Sequence, residues 1–462
     1  MTGPATRTVA AVLDEAAGLL DPVTAERARA ITARAADPPA VAIAGRVSSG
    51  KSTLVNALVG RRVAPTDAGE CTQVVSRFRF GRAERVLVRL RDGGQREVRF
   101  DADGAIPGRL GVPPEEVDHL QVELSVARLR AVELVDTPGV SSATAAGDRS
   151  ERFLGFDTAS REQVGRADAV FYLLTATGQA DEVADLTAFG AGAGGRADAA
   201  IGVLGKADLI AGGDPAAAAD LAGRLAARLA GRVRTVVPLW TLVAETVACG
   251  RLREPDAATA AAVADLDEGT RSVLLADAGL FTDFEAPVDP ARRRRLLELL
   301  APAGAARAVA AVLGGARGAA RLATALDGLS GRGALDAEID RFAARADVLR
   351  AARMLNDAER LAGEDWDLGE PLRDAVELAR AHRDVHVLDE TEALDDLDAG
   401  RVALSGPDAR AAAAVLRGTP PEGDVDAAID HWREVEVLAG DPLVARLART
   451  VGRSLALRGA AR

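Results

Sequence analysis

Lysine is nearly missing from this sequence. Of its 57 basic residues only Lys51 and Lys206 are lysine, and the other 55 are arginine. Wherever a positive charge serves solubility or pairing the chain carries arginine. The two exceptions therefore mark places that need a compact ammonium on a thin stem, where a planar guanidinium does not fit. Cysteine is scarce too: Cys71 and Cys249 are far apart in the chain, which excludes a disulfide framework and predicts two unrelated thiols. The four histidines are His119, His382, His386 and His431; His382 and His386 stand four apart on an expected helix, with no carboxylate or cysteine placed to complete a zinc site. No run of about 18 uncharged apolar residues occurs, and the N-terminus lacks a charged-then-apolar signal pattern. These absences predict a cytoplasmic chain that does not span a membrane. A net charge of −12 sets the surface as a whole against nucleic acid and anionic lipid. One basic run, Arg292–Arg295, reads as the solvated start of a leucine-rich helix.

What is present centres on Val41–Ala57, VAIAGRVSSGKSTLVNA. An apolar run suited to a buried parallel strand breaks at Gly45, and the loop Gly45–Ser52 has the spacing GxxxxGK[ST] before a helix carrying Leu54, Val55 and Leu58. This is a phosphate-binding loop in its proper context: successive backbone N–H groups and a helix N-terminus face an anion, Lys51 reaches the outer phosphates, and Ser52 offers its hydroxyl to Mg²⁺. Cofactor contacts are expected from Gly45, Ser48, Ser49, Gly50, Lys51, Ser52 and Thr53.

Residues 6–36 read as a helical hairpin, with Asp21-Pro22 opening its second helix. The polar segment Gly60–Gln73 suits a loop that senses a third phosphate, and Thr66 and Thr72 are its candidate Mg²⁺ ligands. From Val74 to Val135 the pattern turns to period two, with a turn at Asp92–Gly94, predicting hairpin-linked strands that extend a mixed sheet. The apolar run Ala131–Val135 leads into Asp136-Thr137-Pro138-Gly139, where an acid at a strand's carboxyl end can hold magnesium and Gly139 lets a backbone N–H approach the γ-phosphate. Ala169–Leu174, Ile201–Leu204 and Val233–Pro238 are further expected strands. The second ends at Gly205-Lys206-Ala207-Asp208, where a carboxylate can accept from the guanine N1–H and exocyclic amine that adenine lacks. Trp240 is expected beside the base.

Beyond Asp289 the chain is rich in Ala, Leu, Arg and Glu with helical periodicity. Two stripes, Leu335–Ile339–Phe342–Ala346–Leu349 and Val444–Leu447–Val451–Leu455, predict bundle core rather than a membrane-surface face, since neither has the aromatics and lysines of an interfacial helix. The expected architecture is an α/β P-loop GTPase domain at 37–288, a mainly parallel mixed sheet with helices on both faces. An all-α bundle at 289–462 recruits the hairpin at 1–36.

With these motifs in place the sequence resembles bacterial dynamin-like large GTPases of the actinobacterial type. The resemblance lies in Gly45–Gly60, Val63–Gly81, DTPG at 136–139, GKAD at 205–208, Val236–Thr246, Phe342–Leu355 and His431–Pro442. It implies that Thr72 is the switch threonine, that Asp136 and Gly139 form the second switch, and that Lys206 and Asp208 read guanine. It further implies a stalk built from both chain ends, dimerisation across the nucleotide faces as a homodimer or hetero-oligomer, peripheral contact with the cell membrane, and membrane remodelling coupled to GTP hydrolysis. The reaction so implied is Mg²⁺-assisted attack of water on GTP to give GDP, with Lys51, Ser52, Thr72 and Asp136 holding phosphate and metal and Ser48 nearest the water. Val47 stands where many dynamins have glutamine, Gly205 stands where asparagine is usual, and no membrane-inserting paddle is evident. These departures support a second expectation: a weakly catalytic nucleotide-binding partner of a longer dynamin-like protein.

Overall fold

The alternating and continuous apolar runs fold as nine strands among the described residues: β1 (Ala40–Gly45), β2 (Ser76–Phe80), β3 (Arg85–Leu90), β4 (Gln95–Val98), β5 (Val117–Leu124), β6 (Glu133–Asp136), β7 (Ala169–Leu174), β8 (Ala200–Leu204) and β9 (Val236–Pro238). The computed structural model describes residues 2–46, 49–64, 74–137, 167–176, 182–184, 186–187, 199–364, 369–419 and 423–459. One sheet takes the strands in the order β4-β3-β5-β2-β6-β1-β7-β8-β9. β1 and β7 are buried at every residue, as strands covered on both faces must be. β1 runs parallel to β6 and β7, β8 continues from β7 and β9 from β8, so five carboxyl ends lie along one edge of the sheet. β2 is antiparallel to β6 and β3 is antiparallel to both β4 and β5, giving the expected mixed sheet with its antiparallel extension.

The chain divides into two compact units, Pro38–Ala344 and a second made of residues 1–37 with 345–462. The boundary expected at 288/289 therefore lies at 344/345. The helix Pro290–Leu313, read as the opening of the bundle, instead places Leu296, Leu299 and Leu300 in one core with Trp240, Val243 and Ala260 of the sheet-bearing unit. Among the described residues it is the single helix long and apolar enough to cross a membrane by length and composition. It is interrupted at Ala301, whose φ of 56° and ψ of 173° break the helix before Pro302. Its basic start is also not wholly solvated: Arg293 is fully buried and donates to the carbonyls of Phe281 (2.7 Å) and Phe284 (2.8 Å).

In the other unit the helices Pro4–Ala17 and Pro22–Ala33 bury Val9, Leu13 and Ile31 against Met354, Leu355, Leu372 and Val376. Asp347 accepts the unpaired N–H groups of Ala5 (3.1 Å) and Thr6 (2.9 Å) at the start of the first helix, and Asp21 caps the second. A further core gathers Val415, Trp432, Leu447, Val451 and Leu455, so the last predicted stripe is interior surface. His382 and His386 do not share a helix as expected. His382 follows the helix Glu370–Ala381, and His386 precedes Val387–Asp398 with its Nε2 2.9 Å from Ser454 Oγ.

Candidate nucleotide site

The edge where β6, β1 and β8 end carries the three motifs. β1 pairs Ile43 with Asp136, and Thr137 Oγ1 donates to the Ile43 carbonyl at 2.9 Å, fixing the acid-bearing strand end beside the loop that follows β1. Gly50, at φ 99°, is the left-handed residue that turns the loop into the helix Lys51–Val59. Lys51 is buried, and its Nζ donates to the carbonyls of Gly45 and Arg46, both at 2.8 Å. Burial lowers its pKa, and the neighbouring Asp136 carboxylate works in the other direction. The loop thus wraps its own carbonyls around an ammonium poised for exchange to phosphate oxygens.

Asp136 lies 3.4 Å from Ser52 Oγ through its Oδ2. Burial pushes its carboxyl up to about 6, against the pull of Lys51 and of the Ser52 hydroxyl. Its Oδ1 and the Ser49 hydroxyl are buried and, among the described residues, have no hydrogen-bond partner. A hard oxygen pair, one member an unsatisfied carboxylate atom, fits a divalent cation of the magnesium kind.

The second lysine is found on the same edge. A methyl group placed on Gly205 would lie 3.2 Å from the Ser49 carbonyl oxygen, so the GKAD segment runs directly against the phosphate loop. A side chain at 205 would require the loop backbone to give by a few tenths of an ångström. Lys206 has φ 53° and donates its N–H toward Thr241 Oγ1 at 3.4 Å. Asp208 is buried, and burial raises its pKa against the influence of its own backbone N–H and of Lys206.

Trp240 does not line the groove. Only 2% of it is exposed, within the hydrophobic cluster of Ala207 and Val243, which leaves no ring face for a base. The next residue, Thr241, is buried between the phosphate loop and the GKAD segment: its Cγ2 is 3.5 Å from where a Cβ on Gly50 would be, and its Oγ1 is 3.6 Å from one on Gly205. Sequence reasoning also passed over Asn56, buried on the phosphate helix itself, and Glu245, buried on the helix Thr241–Ala248. Ser49, Gly50, Lys51, Ser52, Thr53, Asp136, Lys206 and Asp208 are all placed. Val47, Ser48, Thr66, Thr72 and Gly139 lie outside the described residues.

A family model described as the Dynamin family matches residues 41–206. The chain is 37% identical over 330 residues to the isoniazid-induced protein IniC of Mycobacterium tuberculosis, in two strains, an alignment taking in 70% of this chain and 66% of that protein. The chain thus spans slightly less than two thirds of the length of that relative. It is 27% identical over 148 residues to a bacterial dynamin-like protein of Nostoc punctiforme, covering 29% of this chain and 20% of the other. Among solved structures, a chain of an oligomerised bacterial dynamin pair, described as providing a mechanism for long-range sensing and tethering of membranes, aligns with a TM-score of 0.35. Its identity is 11%, over 96% of this chain and 72% of that one. LeoA, a bacterial dynamin GTPase from ETEC, aligns at 0.28 with 12% identity over 98% and 87%.

Proposed function

We propose that this chain is a bacterial dynamin-like member of the dynamin family and a Mg²⁺-dependent GTPase. Its nucleotide state governs assembly with itself or with another dynamin-like chain, in the cytoplasm at the inner face of the cell membrane, and drives membrane remodelling there. The observation that carries the reading is the meeting of the two lysine motifs. The loop that ends in Lys51 and the segment that ends in Asp208 touch at Ser49 and Gly205, at the carboxyl ends of parallel strands where nucleotide clefts form.

In this reading Lys51 leaves the carbonyls of Gly45 and Arg46 for the β- and γ-phosphates, and the free N–H groups of the first turn of the helix Lys51–Val59 would meet the same oxygens. Ser52 and Asp136 would hold Mg²⁺, with Thr72 completing the set, and the cation would neutralise charge on the leaving phosphate. Ser48 and Gly139 belong to the γ-phosphate side. Asp208 accepts from the guanine N1–H and amine, and Thr241 supports the backbone of Lys206 behind it.

Binding of GTP and ATP to the full chain, measured with Mg²⁺, tests the reading. We expect GTP to bind at least about tenfold more tightly and Lys51→Ala to lose both binding and turnover. Equal affinity for ATP, or full activity in Lys51→Ala, would remove it. Gly205 and Val47 favour a second reading, a weakly catalytic partner subunit whose turnover rises when a longer dynamin-like chain is added; robust turnover of the isolated chain excludes that version. Co-sedimentation with liposomes, with and without a GTP analogue, tests the membrane contact.

A further inference from the structure

We propose that Thr241 is a positioning residue that couples the phosphate loop to the base-reading segment, its hydroxyl setting the backbone of Lys206 and its methyl bracing Gly50. The inference deepens the GTPase reading above and rests on it. Gly50 precedes Lys51, and Gly205 precedes Lys206. Thr241 opens the helix Thr241–Ala248 and is 3% exposed. Leaving aside the adjoining residues, a Cβ placed on Gly50 would have as its three nearest atoms Thr241 Cγ2, Cβ and Oγ1, at 3.5, 3.9 and 3.9 Å. One placed on Gly205 would lie 3.6 Å from Thr241 Oγ1. A single buried side chain therefore lies against the residue before each of the chain's two lysines.

Three consecutive residues, Leu239, Trp240 and Thr241, hold the GKAD backbone. The N–H of Ala207 donates to the Leu239 carbonyl at 3.1 Å, Ala207 shares a buried apolar cluster with Trp240, and the N–H of Lys206 donates to Thr241 Oγ1 at 3.4 Å. That last bond falls on a strained residue. Lys206 has φ 53°, a left-handed conformation that a residue with a side chain keeps only where its neighbours over-determine it. The turn it makes sets the direction in which the chain reaches Asp208, two residues on. On the phosphate side Gly50, at φ 99°, makes the corresponding left-handed turn ahead of Lys51, and the Thr241 methyl lies on the side where a Cβ of Gly50 would point. Threonine carries one polar and one apolar arm on a stiff χ1, so a rotation that loses one contact loses both. Base and phosphate sides are thus set together by one side chain from an element that carries neither motif.

The two arms separate by near-isosteric substitution in the full chain. Thr241→Val keeps the branched packing and removes the acceptor, whereas Thr241→Ser keeps the hydroxyl and removes the methyl. Affinities for GTP, ITP, GDP and GMP are measured with Mg²⁺ by equilibrium binding. ITP lacks the exocyclic amine that Asp208 reads, and GMP lacks the β-phosphate that Lys51 reaches. We expect Thr241→Val to lower the preference for GTP over ITP about 3- to 10-fold with the preference for GDP over GMP unchanged. Thr241→Ser should do the reverse, lowering the preference for GDP over GMP about 3- to 10-fold and sparing that for GTP over ITP. Either result in a folded variant supports the coupling, so misfolding of one variant leaves the other to decide. Folded variants that leave both preferences unchanged, or that weaken all four nucleotides in one proportion as a merely structural residue would, overturn the proposal. If the unaltered chain binds no guanine nucleotide, the GTPase reading has failed and the coupling falls with it, whereas unaltered binding beside unmoved preferences removes the coupling alone.

Discussion

At the scale of single residues the candidate site is a set of buried charges held short of satisfaction. Asp208 meets the base in the proposed reading as an acceptor of two N–H groups. Asp208→Asn turns one acceptor into a donor, so it should exchange preference for guanine toward xanthine, whose 2-position carries an oxygen. The expected outcome is a loss of GTP affinity of about 10- to 100-fold with a gain for xanthosine triphosphate, read by competition binding. Asp136 makes a pH prediction. Burial pushes its carboxyl up to about 6 from 3.8, so the folded, metal-free chain keeps a proton that the unfolded chain gives up. Stability from this group is complete below about 3.8, falls as pH rises across the window to about 6, and is level above it. Asp136→Asn removes that slope. In chelator and without nucleotide, its melting temperature should exceed that of the unaltered protein at pH 7.5 and converge with it near pH 4, the gap corresponding to at most about 3 kcal/mol.

At the scale of elements, the strands and the phosphate loop were legible because their signals are local. A period of two, a continuous apolar run and a fixed glycine–lysine spacing need no knowledge of what lies opposite, and β7 falls on the expected Ala169–Leu174. The helices were legible as helices but not as members of a unit. An apolar stripe shows that a face is covered and is silent about the cover, so Leu296, Leu299 and Leu300 were assigned to a bundle when they pack on Trp240 and Val243. The same limit misplaced Trp240 in the groove. Asn56 was illegible for another reason: its partners are 7, 8 and 189 residues away, and only the folded chain brings them together. The kink in Pro290–Leu313 gives a test at this scale. Ala301 sits at φ 56°, ψ 173°, a region glycine occupies freely and alanine does not. Ala301→Gly should raise the urea midpoint, by about 1 kcal/mol in stability, with nucleotide binding unchanged.

At the scale of the whole molecule, the unit that holds no nucleotide motif is stitched from both ends of the chain. Val9, Leu13 and Ile31 close a core whose other wall is Met354, Leu355, Leu372 and Val376, and Arg34 donates to the buried Asp357 at 2.7 Å. Deleting residues 2–37 would therefore strip one wall from that core. The shortened chain should show rapid protease cutting within 345–459 and a lower helical signal, while GDP still protects fragments from the 38–344 unit. Equal protease resistance in both parts would contradict this division.

The split also imposes a schedule on the ribosome. The first two helices emerge with an apolar face whose covering partners are encoded about 300 residues later. At ordinary elongation speeds that interval is on the order of 15 to 60 s. During it the sheet-bearing segment has time to form behind them, and the early hairpin is left as an unpaired sticky arm. A nascent chain of this design should lean on holding chaperones, and synonymous changes that slow translation between codons 38 and 344 should lengthen that exposure without altering a single side chain.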